Sequence, residues 1–202
     1  MNPQDWIPDH QFGFRQAHST VQQCHRVTDV INKAMENQQH CTASFLYANQ
    51  AFDKIWHLGP LFKIKRILPS SYFNLLKSYL YESQFETKFN GETSSRFHIH
   101  SGLPQGSILG PLLYVLYTSD LPTSKETTLG TFADDTAIFA THADPKIASL
   151  NLQEYLNIIE KWLKKWKSKV NDSKSSHLKF SLRKGHCPAV NINQTIIPQQ
   201  KQ

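Results

Sequence analysis

Thr128-Leu129-Gly130-Thr131-Phe132-Ala133-Asp134-Asp135-Thr136-Ala137-Ile138-Phe139-Ala140 sets a short apolar run on each side of two adjacent aspartates. Runs of this length and composition read as strands, so the stretch predicts a hairpin with Asp134 and Asp135 at its turn. Side-by-side carboxylates concentrate negative charge, which a divalent cation relieves. Mg²⁺ is a hard ion that prefers carboxylate and phosphate oxygens. In pairs it holds the attacking and leaving oxygens of phosphoryl or nucleotidyl transfer. Aspartate is also common in ordinary turns, and the dipeptide alone does not separate these readings.

Working outward, Ser101-Gly102-Leu103-Pro104-Gln105-Gly106 is a glycine-rich loop that leads into a helix, with Ile108, Leu112, Leu113 and Leu116 expected to face inward. Residues 84–100 alternate through Phe85, Thr87 and Phe89 to Asn90-Gly91 and return through Phe97 and Ile99, a second hairpin. Helices are expected near Leu61–Leu68 and Tyr72–Leu80, broken at Pro69-Ser70. A strand, Thr42–Leu46, enters Ala51-Phe52-Asp53, and a helix over Ser19–Met35 carries Val21, Cys24, Val27, Val30 and Ile31 on one side. Downstream, a long amphipathic helix from about Pro145 to Lys169 places Leu152, Leu156, Ile159, Leu163 and Trp166 toward a core. Strand-like segments at residues 177–182 and 189–197 close the chain. Helices interleaved with mostly antiparallel hairpins imply an α+β fold, a sheet backed by helices.

The 202 residues, 39% hydrophobic, suffice for one substantial core. Lys and Arg outnumber Asp and Glu by 22 to 16, a surface field that mildly favours polyanions. Cys24, Cys41 and Cys187 are far apart and form no CxxC pair, so neither a disulfide framework nor a zinc site is indicated and a reducing compartment fits. No signal-peptide pattern opens the chain, and the longest apolar run, around Pro111–Tyr117, is too short to span a bilayer. The expectation is a soluble intracellular protein, cytoplasmic or nuclear, without a membrane partner.

Taken in order, Gln11-Phe12-Gly13-Phe14-Arg15, the Ala51-Phe52-Asp53 stretch, Ser101–Gly106 with its helix, and Phe132-Ala133-Asp134-Asp135 resemble the motif series of reverse transcriptases from jockey-like non-LTR retrotransposons. The resemblance covers about Gln11 to Phe180. It implies a polymerase palm-type antiparallel sheet with a partial fingers region: residues 1–42 partial fingers, 43–182 palm, and 183–202 the start of the primer-grip and thumb connection, in a truncated copy. It implies an RNA-directed DNA polymerase using an RNA template, a DNA primer, deoxynucleoside triphosphates and two Mg²⁺ ions. Asp134 and Asp135 match the metal-binding pair. Lys174 matches a catalytic lysine that assists the leaving pyrophosphate. Phe52 matches the aromatic under the incoming sugar, Gln105 and Gly106 the loop near the templating strand, and Arg15 a fingers position that contacts nucleotide.

The chain departs from the family pattern at Phe45-Leu46-Tyr47. Relatives carry a metal-bridging aspartate at the place of Tyr47 and commonly a lysine at the place of Gln50. A phenol is neutral at physiological pH, is a poor ligand for Mg²⁺, and is larger than the carboxylate it replaces. Six extended residues span about 20 Å, so Asp53 is not expected to substitute. Weakened metal binding and impaired polymerisation follow as expectations. The alternatives are a catalytically dead remnant that only binds nucleic acid, and a non-enzymatic α+β interaction module. Lys161, Lys164, Lys165, Lys167 and Lys169, interleaved with Trp162 and Trp166, read either as a phosphate track or as the wet side of an amphipathic helix.

Overall fold

The computed structural model describes residues 7–48, 50–81 and 83–200. The chain forms two compact units, one of residues 1–49 with 119–202 and one of residues 50–118.

In the first unit, helix α1 (Thr20–Glu36) begins at Ser19, whose hydroxyl accepts from the Gln22 backbone N–H while the Gln22 side chain accepts from the Ser19 N–H. This capping box satisfies two donors the first turn would otherwise leave open. Strand β1 (His40–Tyr47) follows and is longer at both ends than the apolar run predicts. Its N-terminal extension begins at His40, opposite His142 on a second strand of the sheet, β3 (Asp135–His142). With β2 (Thr127–Phe132) and β4 (Ser176–Phe180) they form an antiparallel sheet in the order β2-β3-β1-β4. Ala34 of α1 is buried with Cys41, Ala43 and Phe139, and Val27, Val30, Ile31 and Phe45 pack around them. Val21 and Cys24, expected on this inner side, are exposed; the buried face of α1 instead runs through Gln23 and Ala34.

Helix α2 (Pro145–Lys165) runs against β1 and β3 and buries Leu152, Leu156, Ile159 and Leu163; Trp166 just beyond it is also buried. Asp144 caps it, its carboxylate accepting from the Lys146 N–H at 2.8 Å, and Pro145 occupies the first turn. Asp144→Ala is expected to lower stability by about 1 kcal/mol, measurable as a shifted urea midpoint with unchanged slope. The five lysines are exposed while Trp162 and Trp166 are buried, so this is the solvated side of an amphipathic helix rather than a stacking track.

Both edges of the sheet are covered by short segments in parallel orientation. Residues 10–12 flank β2, with the Thr131 N–H donating to the His10 carbonyl at 2.9 Å and the Phe12 N–H to the Thr131 carbonyl at 3.0 Å. Residues 198–200 flank β4 through His177. The ladder therefore exposes little unpaired backbone at either edge. A small hairpin, β5 (Asn191–Ile192) and β6 (Thr195–Ile196), buries Ile192 beside α2.

The first unit also holds histidines deprived of water. Burial, with the Arg26 cation added, pushes His10 down from 6.5 to about 4, and burial pushes His177 down as well. A ring whose folded value lies below its unfolded one contributes fully above pH 6.5, and the contribution is lost as pH falls toward 4. Chemical-denaturation midpoints are expected to decline across that window, with His10 accounting for about 2 kcal/mol. His10→Gln is expected to flatten the decline.

In the second unit, α3 (Leu58–Ile67) and α4 (Ser70–Tyr81) are separated by extended Leu68 ahead of Pro69, as the proline predicts. The 84–98 hairpin pairs β7 (Gln84–Phe85) with β10 (Phe97–His98) and β8 (Lys88–Phe89) with β9 (Glu92–Thr93). Asn90 and Gly91 both take positive φ, 48° and 86°, the turn that dipeptide favours. Helix α5 (Leu109–Thr118) buries Leu113 and Leu116, but Ile108 and Leu112 are exposed, Ile108 at 93%. The helix begins one residue after Ile108, and Pro104 and Ser107 close the preceding turn, leaving that side chain outside.

Candidate active site

The hairpin between β2 and β3 is tighter than the sequence suggests. Phe132 pairs with Asp135, so only Ala133 and Asp134 lie in the turn and Asp135 is already the first residue of β3. Ala133 has φ +54°, which a side chain tolerates at a cost and which glycine usually supplies in such turns. Partial burial and the neighbouring Asp134 charge push the Asp135 carboxyl upward. The two carboxylates thus repel each other at one hairpin tip.

Strand β1 carries Tyr47 directly opposite Asp135. In an antiparallel ladder opposed residues share a face with Cβ atoms about 4.5–5.5 Å apart, so the phenol and the Asp135 carboxylate extend into the same space. The end of β1 is held by the 170–175 turn: the Asn171 N–H donates to the Tyr47 carbonyl at 2.8 Å, and the Tyr47 N–H donates to the Ser175 hydroxyl at 3.2 Å. That turn presents Lys174, whose ammonium lies 5.0 Å from the Tyr47 ring centroid. Beside them a cavity of about 330 Å³ is lined by Phe45, Phe132, Thr136 and Lys174, among others. Tyr47, Asp134, Asp135 and Lys174 therefore gather at one end of the sheet. Arg15 lies two residues beyond Gly13, itself against Ala133, and its guanidinium is 3.9 Å from Asp9.

The second unit gathers Phe52, Gln105 and Gly106. Phe52 stacks on Tyr114 with ring centroids 4.7 Å apart and planes 22° from parallel. The Leu103 N–H donates to the Phe52 carbonyl at 2.8 Å and the Gly102 N–H to the Ile55 carbonyl at 2.9 Å, so the glycine loop is docked on the turn that carries Phe52. Gly102 is required there: its φ is +92°, and a Cβ would sit 2.7 Å from the Asp53 carbonyl oxygen. Gln105 donates to the Asp53 carboxylate at 2.6 Å. Asp53 is thus engaged within its own unit.

The first unit is thus an antiparallel sheet with adjacent carboxylates at the tip of its β2–β3 hairpin, and the second unit carries a glycine loop docked on the Phe52 turn. The chain belongs to the reverse transcriptase (RNA-dependent DNA polymerase) family, whose profile matches residues 1–195. Among Drosophila melanogaster proteins it is 40% identical over 199 residues to the RNA-directed DNA polymerase from mobile element jockey, covering 95% of this chain and 22% of that protein. It is 39% identical over 204 residues to the probable RNA-directed DNA polymerase from transposon X-element, covering 98% and 22%. The chain spans about a fifth of the length of these curated relatives. The fold is similar to that of apo telomerase from Candida tropicalis truncated from its C-terminal domain, with TM-score 0.64, 13% identity, and 84% and 36% of the two chains covered. It is also similar to telomerase from Candida albicans in complex with a TWJ fragment of telomeric RNA, with TM-score 0.62 and 11% identity over 90% and 33%. The reading of the chain as a reverse transcriptase domain of the non-LTR, jockey-like kind holds. Among the described residues no helix is long and apolar enough to cross a membrane.

Divalent ions serve this family, and the residues present fit a pair of them poorly. Among the described residues no three Asp, Glu, His or Cys side chains converge on one point. Asp134 and Asp135 supply two carboxylates, but the place opposite Asp135 holds a phenol with an ammonium over its ring. An ammonium there adds like charge beside any cation the two carboxylates would hold.

Proposed function

We propose that this chain is the palm-centred part of an RNA-directed DNA polymerase whose chemistry is impaired at Tyr47. The supporting observation is the placement of Tyr47 opposite Asp135, beneath the Lys174 ammonium, where two ions would need a third carboxylate. In this reading residues 1–42 are partial fingers, 43–182 the palm and 183–202 the start of the thumb connection. Asp134 and Asp135 are the metal-facing pair and Lys174 the leaving-group lysine. Phe52 supports the sugar, Gln105 and Gly106 face the template, and Arg15 faces the nucleotide. RNA template, DNA primer and deoxynucleoside triphosphates are the partners, and the basic balance of 22 to 16 supports phosphate contacts.

Primer extension on an RNA template with Mg²⁺ or Mn²⁺ tests this. The unaltered chain is expected to bind the primer–template with an affinity that falls as salt rises, and to add no nucleotides. Extension by the unaltered chain removes the impairment from the proposal. Salt-independent binding removes the nucleic-acid partner.

A further inference from the structure

The geometry points to Gln11 as the positioning residue for the Asp134-Asp135 turn, an inference that rests on reading that turn as the catalytic one. Gln11 is 2% exposed, and its side-chain amide is spent on backbone. Its Oε1 accepts from the Ala133 N–H at 3.1 Å and from the Gly13 N–H at 2.8 Å, and its Nε2 donates to the Ala133 carbonyl at 3.2 Å. The amide orientation follows from the chemistry, since the opposite one would set the NH₂ group against two N–H donors. Both polar groups of Ala133 are thereby gripped by one side chain, and Ala133 is the residue of the turn with φ +54°.

A residue in this conformation persists only where its surroundings over-determine it. The surroundings here are built for that. Residues 10 and 12 pair with Thr131, one turn-length before Ala133, and the Thr131 hydroxyl adds a bond to the His10 carbonyl at 3.2 Å. Gly13 brings its own backbone against Ala133, leaving no room for a Cβ. Gln11 therefore acts on the reacting groups through Ala133, fixing the direction in which Asp134 and Asp135 leave the turn. It touches neither carboxylate and is not itself catalytic. The turn has alanine where a glycine would hold the same φ unaided, and the glutamine supplies the missing constraint.

The test is amide hydrogen exchange followed by NMR in the full chain, with Gln11→Met, Ala133→Gly and the double variant. The Asp135 amide, in the pair that closes the hairpin, reads the turn; the Ile159 amide in α2 reads the whole unit. Gln11→Met is expected to speed exchange at Asp135 about tenfold, the scale of left-handed strain on one side chain, and to leave Ile159 unchanged. The Ala133 Cα shift is expected to move away from its left-handed value. In the Ala133→Gly chain the same substitution is expected to speed Asp135 exchange less than about threefold, because glycine holds the conformation without help. Equal acceleration in both backgrounds, acceleration shared by Ile159, or none at all would each overturn the assignment. Primer extension does not enter these measurements, so failure here and failure of the polymerase reading are seen separately.

Discussion

Tyr47→Asp is expected to give the chain a divalent-ion dependence that it otherwise lacks. Without metal, a third carboxylate facing Asp135 adds like charge to a hairpin tip where the carboxyl is already pushed upward by partial burial and Asp134. The variant should therefore melt below the unaltered chain in EDTA. With Mg²⁺ or Mn²⁺ the repulsion becomes affinity, and an ion that binds only the folded state at 100 times its dissociation constant adds about 2.7 kcal/mol. The melting temperature of the variant should rise steeply with either ion while that of the unaltered chain stays level. In primer extension the variant's turnover should stand at least ~100-fold above the detection floor at which the unaltered chain shows none, the scale of restoring one fixed electrostatic stabiliser. An ion-independent melting curve for the variant would mean that the three positions do not converge as the β1–β3 register places them.

Much of this site was legible before the fold. The ordered motifs identified the loop at Ser101–Gly106 and the hairpin at Asp134-Asp135, because glycines and paired carboxylates are local features, while the departure at Tyr47 is visible only against the family resemblance. The cross-strand partner of Tyr47 was not legible. Register is set by the whole ladder, from His40 opposite His142 to Tyr47 opposite Asp135, and no window of sequence contains both strands. The cation over the Tyr47 ring was equally hidden, since Lys174 arrives on a turn held by Asn171 and Ser175.

The misplaced residues share one cause. Apolar periodicity locates a helix well and its rotation less well. Apolar character predicts Val21, Cys24, Ile108 and Leu112 to face inward, yet all four lie at or near helix starts, where fewer neighbours cover the turn. Gln11 and Gln23 show the converse, since polar side chains reach the interior when backbone or a tight glycine neighbour receives them. Nothing in Gln11-Phe12-Gly13 as a string distinguishes a buried clamp from a surface loop. What decides it is Ala133, 122 residues away, in a conformation that needs one.

Gly13→Ala is expected to be the most damaging single-carbon change in the first unit. An added Cβ would lie 2.1 Å from the Ala133 nitrogen, 2.8 Å from its Cα and 3.0 Å from the Phe132 carbonyl carbon, all backbone atoms of the Asp134-Asp135 hairpin. No flexible side chain is available to move aside. The segment can only lift away, which breaks the Gln11 bonds to Ala133 and loosens the 10–12 pairing with Thr131. The loss is expected to be at least ~3 kcal/mol, at the upper end of overpacking costs, because rigid main chain meets rigid main chain. Gly91→Ala is the matched control. That glycine also sits in a hairpin turn but has nothing within 4 Å of its would-be Cβ, so only the strain of φ +86° opposes the change. A urea midpoint for Gly13→Ala no lower than that for Gly91→Ala would show that residues 10–13 do not pack on the hairpin, and the positioning of Asp134 and Asp135 would then need another source.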